Sequence, residues 1–187
     1  EIYMSIKHYY FDYAATTPLD PSVRDKMIAY LQQDDSFGNA GSSHYYGLKA
    51  KEGVDLSREQ VAGLINANPS EIIFTSGASE SVNLALKGVI QRYLNSYKQK
   101  PHIITSATEH KAVLNAVGSL SQLGCEVTYL RPDNLGQISA EQVEDNIKEN
   151  TILVSLMHVN NEIGVITDIE KIANLTSDKG ILLHVDA

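Results

Sequence analysis

The chain is poor in cysteine, in long apolar runs and in positive charge. One cysteine, Cys125, stands among 187 residues. A lone cysteine excludes an internal disulfide and fits a reducing, cytoplasmic setting. No apolar stretch approaches the roughly 20 residues a membrane span needs, and no secretory signal is visible at the start. The net charge is −8, which disfavours nucleic acid and anionic membrane as main partners. The six histidines show no H-x-x-x-H or Cys/His ligand spacing, so no metal site is read. There is no internal repeat and no low-complexity linker. Residues 1–3 precede Met4, which reads as the natural start.

What is present is ordinary for a soluble globular protein: 43% hydrophobic and 20% charged residues. The length suffices for one good core and part of a second domain. Asp20-Pro21 supplies a helix cap followed by proline at the first helical position, with Val23, Met27, Ile28 and Leu31 as an apolar face. Residues 34–44 are polar and rich in glycine and serine, a loop signal. A long helix is expected over residues 46–66, with Val54, Val61, Leu64 and Ile65 as core candidates.

From residue 72 onward the pattern becomes regular. Strands are expected over 72–75, 103–105, 125–130, 151–157 and 181–186. Helices are expected over 78–93, 111–123, 140–148 and 168–177, the first presenting Val82, Leu86, Val89 and Ile90 on one side. Gly180 suits a helix C-terminal cap. Short buried strands alternating with helices predict an α/β fold: three layers, with a mostly parallel sheet flanked by helices. Residues 1–67 read as an N-terminal segment with helices. Residues 68–187 read as part of a large α/β domain with no internal boundary.

In such sheets ligands bind beyond the carboxyl ends of the strands. Four segments there carry chemistry. Thr75-Ser76-Gly77-Ala78-Ser79-Glu80-Ser81 is a glycine and hydroxyl turn opening into a helix; it suits a phosphate, or else Ser76 or Ser79 simply caps the helix. In Ser106-Ala107-Thr108-Glu109-His110, the histidine taken singly reads more readily as a cap or surface group than as a catalytic one. His158-Val159-Asn160-Asn161-Glu162-Ile163-Gly164 sets two amides and an acid directly after a buried strand, a costly cluster unless satisfied. Asp186 ends the last strand, either as a ligand-facing acid or as an N-cap for a succeeding element. An anion cradle, an imidazole, amides and a carboxylate around one crevice suit a phosphorylated aromatic cofactor. Cys125 follows Gly124 at a strand start, where packing is the commoner role than nucleophilic chemistry. A strand that ends in an acid one residue before the last residue reads as an interrupted site.

These motifs resemble a known family. Tyr10-Phe11-Asp12-Tyr13-Ala14-Ala15-Thr16-Thr17-Pro18 is similar to the opening of the cysteine desulfurases, class V relatives of the pyridoxal-phosphate aminotransferases. Phe37-Gly38-Asn39, Ser43-His44, Phe74 to Ser81, Thr108-Glu109-His110-Lys111-Ala112-Val113, His158 to Gly164 and His184-Val185-Asp186-Ala187 come in the family's order. The forms resemble the NifS/IscS branch more than the SufS branch.

The resemblance implies a pyridoxal 5'-phosphate large domain. Ser79, with the backbone of Gly77 and Ala78, would bind the cofactor phosphate; the family more often has threonine at Ser79. His110 would stack on the pyridine ring and assist proton transfers. Asp186 would pair with the protonated ring nitrogen, and Asn161 with the phenolic oxygen and the substrate carboxylate. Ala14 and Ala15 would line the substrate side. The implied reaction takes sulfur from L-cysteine, leaves L-alanine and places a persulfide on a protein thiol. That sulfur would pass to an acceptor such as an iron–sulfur scaffold, or to tRNA thiolation. The family also implies a homodimer.

The family's Schiff-base lysine and sulfur-accepting cysteine would fall beyond residue 187, and neither Lys179 nor Cys125 matches them in position. The expectation is therefore the front half of such an enzyme, inactive alone and prone to associate through an uncovered sheet face or edge. Alternatives are another class V enzyme, such as a selenocysteine lyase or aminotransferase, or a truncated homologue acting as a binding or dimerisation module.

Overall fold

The computed structural model describes residues 8–32, 37–97 and 99–187. The reading of Met4 as a start, and residues 34–36 of the expected loop, lie outside the described residues. The chain forms two compact units, Glu1–Phe74 and Thr75–Ala187.

In the first unit, α1 spans Pro21–Leu31 and α2 spans Tyr45–Leu64. Asp20 opens α1 by accepting the Ser22 N–H at 2.8 Å, which satisfies an amide that the helix cannot. The face of Val23, Met27, Ile28 and Leu31 is exposed. The core expectation for α2 is overturned. Val54, Val61, Leu64 and Ile65 are all exposed, and the buried positions are Gly47, Ala50 and Ala62. The physical reason is close backbone approach: a Cβ on Gly47 would strike the carbonyl of Ser42, so small residues face inward there. The helix also stops short of Asn66, which takes a left-handed φ of 55° that asparagine tolerates.

A 3-10 turn, Pro69–Glu71, follows. The strand expected over 72–75 does not form. Ile72 is extended, but the sheet holds only four strands, all later in the chain. An extended segment becomes a strand only through a ladder partner. Here the Ile72 carbonyl is instead taken by the Arg58 guanidinium, which lies 4.9 Å from the Phe74 ring centre.

The second unit is a parallel sheet of β1 (His102–Ser106), β2 (Glu126–Leu130), β3 (Thr151–Met157) and β4 (Leu182–Asp186), in the order β2-β1-β3-β4. Helices α3 (Ala78–Ser96), α4 (Lys111–Gln122), α5 (Ala140–Asp145) and α6 (Ile169–Asp178) complete it. Alternation along the strands divides the core into two layers. Ile103 and Leu153 pack with Val82, Leu86 and Ile90 of α3 and with Val113, Val117 and Leu120 of α4. Ile104, Val154 and Leu156 pack with Val143 of α5 and Ile172 of α6. The three-layer α/β expectation holds, with the sheet wholly parallel.

Cys125 is buried in the first layer, where burial pushes its thiol up. Lys179 pairs with Glu144 at 3.2 Å. Gly180, at φ 67°, ends α6 as expected: the Ile181 N–H bonds back to the Thr176 carbonyl at 2.8 Å.

At the amino end of the sheet His102 is fully buried. Its Nδ1 meets Thr151 Oγ1 at 2.7 Å and its Nε2 meets Thr128 Oγ1 at 2.9 Å. Thr151 Oγ1 also accepts the Lys148 N–H at 2.7 Å. Each ring nitrogen thus has one hydroxyl partner, and burial holds the imidazole below its ordinary value.

Leu86 is fully buried between α3 and the sheet layer beneath it. Leu86→Ala should cost about 2–5 kcal/mol, read as a lower urea midpoint with an unchanged m-value.

Candidate functional site

The strand order places a topological switch between β1 and β3. The chain leaves β1 for β2 on one side and returns through β3 on the other. Ligand crevices form outside the carboxyl ends at such a point. The segments after β1 and β3 are tied to each other there. Glu109 Oε1 accepts the Met157 N–H at 3.0 Å. Asn160 Nδ2 donates to the Thr108 carbonyl at 3.0 Å. β4 joins them: Asp186 is the ladder partner of Met157, and its carbonyl accepts the His158 N–H at 2.8 Å.

Beyond β3 the chain folds into a small hairpin, with an isolated antiparallel bridge between Val159 and Ile166. Asn160 is its organiser. Its Oδ1 accepts the amides of Glu162 at 2.9 Å and Ile163 at 3.1 Å, while its Nδ2 holds Thr108. The costly amide cluster is thus largely satisfied by its own loop. Asn161 is exposed beside it, and its amide reaches Glu162 Oε1 at 3.3 Å.

His110 is exposed and caps α4: its Nδ1 accepts the Ala112 N–H at 3.2 Å. The capping reading of this histidine is realised, and Nε2 makes no hydrogen bond to any described residue. Gly77 stands at the N-cap of α3 without a side-chain cap bond. Ser76 does not cap the helix; its N–H and hydroxyl both go to Glu80 Oε2, at 2.7 and 2.6 Å. The Ser79 hydroxyl makes no hydrogen bond to any described residue. The amides of Ala78 and Ser79 occupy the first two helical positions, which have no intrahelical acceptor. Nothing lies within 4 Å of where a Cβ on Gly77 would stand.

His110, Asn161 and Asp186 therefore share one edge of the sheet, at the ends of three adjacent strands. Gly77, Ala78 and Ser79 sit on α3, which packs on α4. No direct bond joins that turn to the other three among the described residues. Ala14 and Ala15 belong to the first unit, in an exposed turn closed by the Ala15 N–H on the Asp12 carbonyl at 3.1 Å.

The sequence pattern suggests no role for Glu109, yet it is the group most altered by its surroundings. It is 7% exposed. Burial first, and the nearby Asp186 charge besides, push its carboxyl from 4.5 to about 7 against the opposing Met157 bond. Its Oε2 is buried with no hydrogen-bond partner among the described residues. The one signal in the sequence is its place, an acid directly between a switch-point strand and a helix cap. His184 shows the opposite direction: burial holds its imidazole below the ordinary value, with Asp186 opposing, and its Nδ1 meets Ser155 Oγ at 2.9 Å. Asp186 is half-buried, and its carboxyl makes no hydrogen bond or ion pair among the described residues. The arrangement offers free amides and a hydroxyl for an anion, an open imidazole, and an unpaired carboxylate.

This geometry has two measurable outcomes. A carboxyl whose folded value is raised binds its proton more tightly folded than unfolded. Its stabilising contribution is full below about pH 4.5 and is lost as pH rises to about 7. Glu109→Gln should flatten stability over that window and gain up to about 3 kcal/mol above it, measured by urea titration at stepped pH. Asn160→Ala should cost about 2 kcal/mol and speed hydrogen exchange at the Glu162 and Ile163 amides.

Residues 9–187 match the family described as aminotransferase class-V. Cysteine desulfurase IscS of Shewanella loihica is 57% identical over 95% of this chain and 44% of its own length. Cysteine desulfurase IscS of Vibrio vulnificus is 54% identical over the same shares. Among solved structures, one titled "SspA in complex with cysteine" superposes with a TM-score of 0.88 at 47% identity, covering 95% of this chain and 50% of that one. A NifS-like protein gives 0.89 at 40%, covering 95% and 48%. The chain spans about half the length, or less, of these relatives. It belongs to the aminotransferase class-V family.

Proposed function

We propose that this chain supplies the cofactor-holding part of a pyridoxal 5'-phosphate-dependent cysteine desulfurase. The single observation that carries this is the unpaired, half-buried carboxyl of Asp186 at the switch-point edge, beside the segments that bear His110 and Asn161. Likeness to proteins named cysteine desulfurase, and to a structure titled as a complex with cysteine, supports the reading.

The residues present fit that cofactor. The amides of Ala78 and Ser79, the Ser79 hydroxyl and the α3 dipole favour a phosphate. Asp186 would hold the ring N–H, and the free face of His110 would lie against the ring. Asn161, with an exposed amide, would reach the ring oxygen and the substrate carboxylate. When bound, the cofactor acts as an electron sink that permits loss of the substrate's Cα proton. Asp186 serves that chemistry by keeping its proton partner charged, and His110 by carrying protons at Nε2.

The proposal extends to L-cysteine as substrate, L-alanine as product, transfer of sulfur to an acceptor protein such as an iron–sulfur scaffold, a homodimer, and a cytoplasmic setting. To test it, this chain is joined to the part of the Shewanella loihica relative that it does not match. The chimera should bind pyridoxal phosphate and release alanine from L-cysteine, and Asp186→Ala should cut release at least a hundredfold without altering its melting temperature. A well-folded chimera that binds the cofactor and releases no alanine overturns the activity.

A further inference from the structure

We propose that His102 is an acid-released latch on β2: uptake of a proton by its imidazole frees the amino end of this edge strand from β1. The device lies at the opposite end of the sheet from the candidate site, and it does not rest on the cofactor reading.

Geometry carries the latch. In the sheet β2 has one neighbour, β1, and at its amino end side chains supplement the ladder. Thr128 Oγ1 of β2 meets His102 Nε2 at 2.9 Å, and Thr151 Oγ1 of β3 meets Nδ1 at 2.7 Å. A register shift between His102 and Ile103 sets Thr151, rather than Ile152, opposite His102, and irregularities of this kind re-aim side chains. The ring thus bridges β2 to β3 across β1, and it is fully buried.

A proton breaks this arrangement. A neutral imidazole has one donor and one acceptor nitrogen, whereas an imidazolium has two donors. Both hydroxyls must then accept from the ring. Thr151 Oγ1 already accepts the Lys148 N–H at 2.7 Å, so its own hydroxyl proton would be left without an acceptor among the described residues. A buried donor without a partner is costly.

The new charge also lacks a bonded counter-ion. Glu126 of β2 favours protonation of the ring by its field, but its carboxylate already pairs with Lys148 Nζ and accepts from Asn150 Nδ2 at 3.2 Å. Lys148 opposes a second positive charge beside it. Glu144 of α5 and Lys179 after α6 pair with each other at 3.2 Å. A buried charge without a bonded partner is disfavoured. The depressed proton affinity of His102, caused by burial first and Lys148 second, agrees with this.

Once the end of β2 comes away, water reaches the ring and its ordinary affinity returns. The open form then binds a proton that the closed form refuses. Closure is at full strength above about pH 6.5 and weakens as pH falls below it. The bond that reports opening is the Glu126 N–H on the Pro101 carbonyl, at 2.9 Å. The Ala107 N–H on the Leu130 carbonyl, at 2.8 Å, closes the far end of the same strand pair.

The test is amide hydrogen exchange on the full chain from pH 8 to pH 5, corrected for the intrinsic pH dependence of exchange. Protection at Glu126 should fall about tenfold for each pH unit below about 6.5, with a smaller loss at Ala107. In His102→Gln, whose amide takes up no proton, Glu126 protection should be flat over the same range. Where that variant does not fold, the wild-type ring signals of His102 decide: at about pH 6 they should still be those of a neutral imidazole while the Glu126 amide stays protected. Protection at Glu126 that ignores pH, an equal loss at Ala107, the same slope in His102→Gln, or a ring that titrates at its ordinary value beneath a protected Glu126 amide each overturns the latch.

Discussion

The bond from the Met157 amide to the Glu109 carboxyl governs where the ends of β1 and β3 lie. Parallel strands diverge after their last ladder bond, and nothing in the sheet itself holds the loops beyond them together. A side chain from one loop that takes the final amide of the neighbouring strand removes that freedom. Asn160 repeats the device in reverse, reaching from the loop after β3 to the carbonyl of Thr108. With both in place, the loop after β1 and the loop after β3 act as one piece, and β4 is joined to it through His158 and the Asp186 carbonyl.

That piece rests on well-packed layers. Ile103 and Leu153 on one face of the sheet, and Ile104 and Val154 on the other, are almost wholly buried. Dense packing on both sides leaves β1 and β3 little room to shift. The polar end of the sheet can then carry an acid at an energetic cost, because the apolar layers beneath more than offset it. Local departures from the lowest-energy choice, such as the orphaned oxygen of Glu109, are expected where a fold serves a ligand.

Much of the second unit was legible in the sequence because its elements obey one rule each. The run from Thr151 to Met157 has the continuous apolar character of a buried parallel strand, and it forms with those bounds. The spacing of Val82, Leu86 and Ile90 marked the buried face of α3. The first unit was less legible. Its long helix was correctly expected, but its inward side is set by glycine and alanine rather than by its larger apolar residues. Hydrophobic periodicity cannot show that, since close backbone approach leaves no apolar signal. The segment after Glu71 has strand-forming residues, yet strand identity is decided by a partner and not by propensity. Of the candidate site, the loops after β1 and β3 and the acid ending β4 were found from their place at strand ends, the Gly77 turn was placed after a strand that does not form, and Glu109 was passed over between more conspicuous neighbours. Its chemistry arises from desolvation, a property of the folded surroundings that composition does not record.

At the opposite pole of the sheet, the two ring nitrogens of His102 make it the middle link of a hydrogen-bond chain. The chain starts at the Lys148 amide, passes through the Thr151 hydroxyl and the imidazole, and ends on Thr128. Three strands and the turn after α5 are thereby keyed in sequence, like wards in a lock. A residue lacking either ring nitrogen, however well it filled the volume, would uncouple β2 from β3 at that end without disturbing the apolar layers.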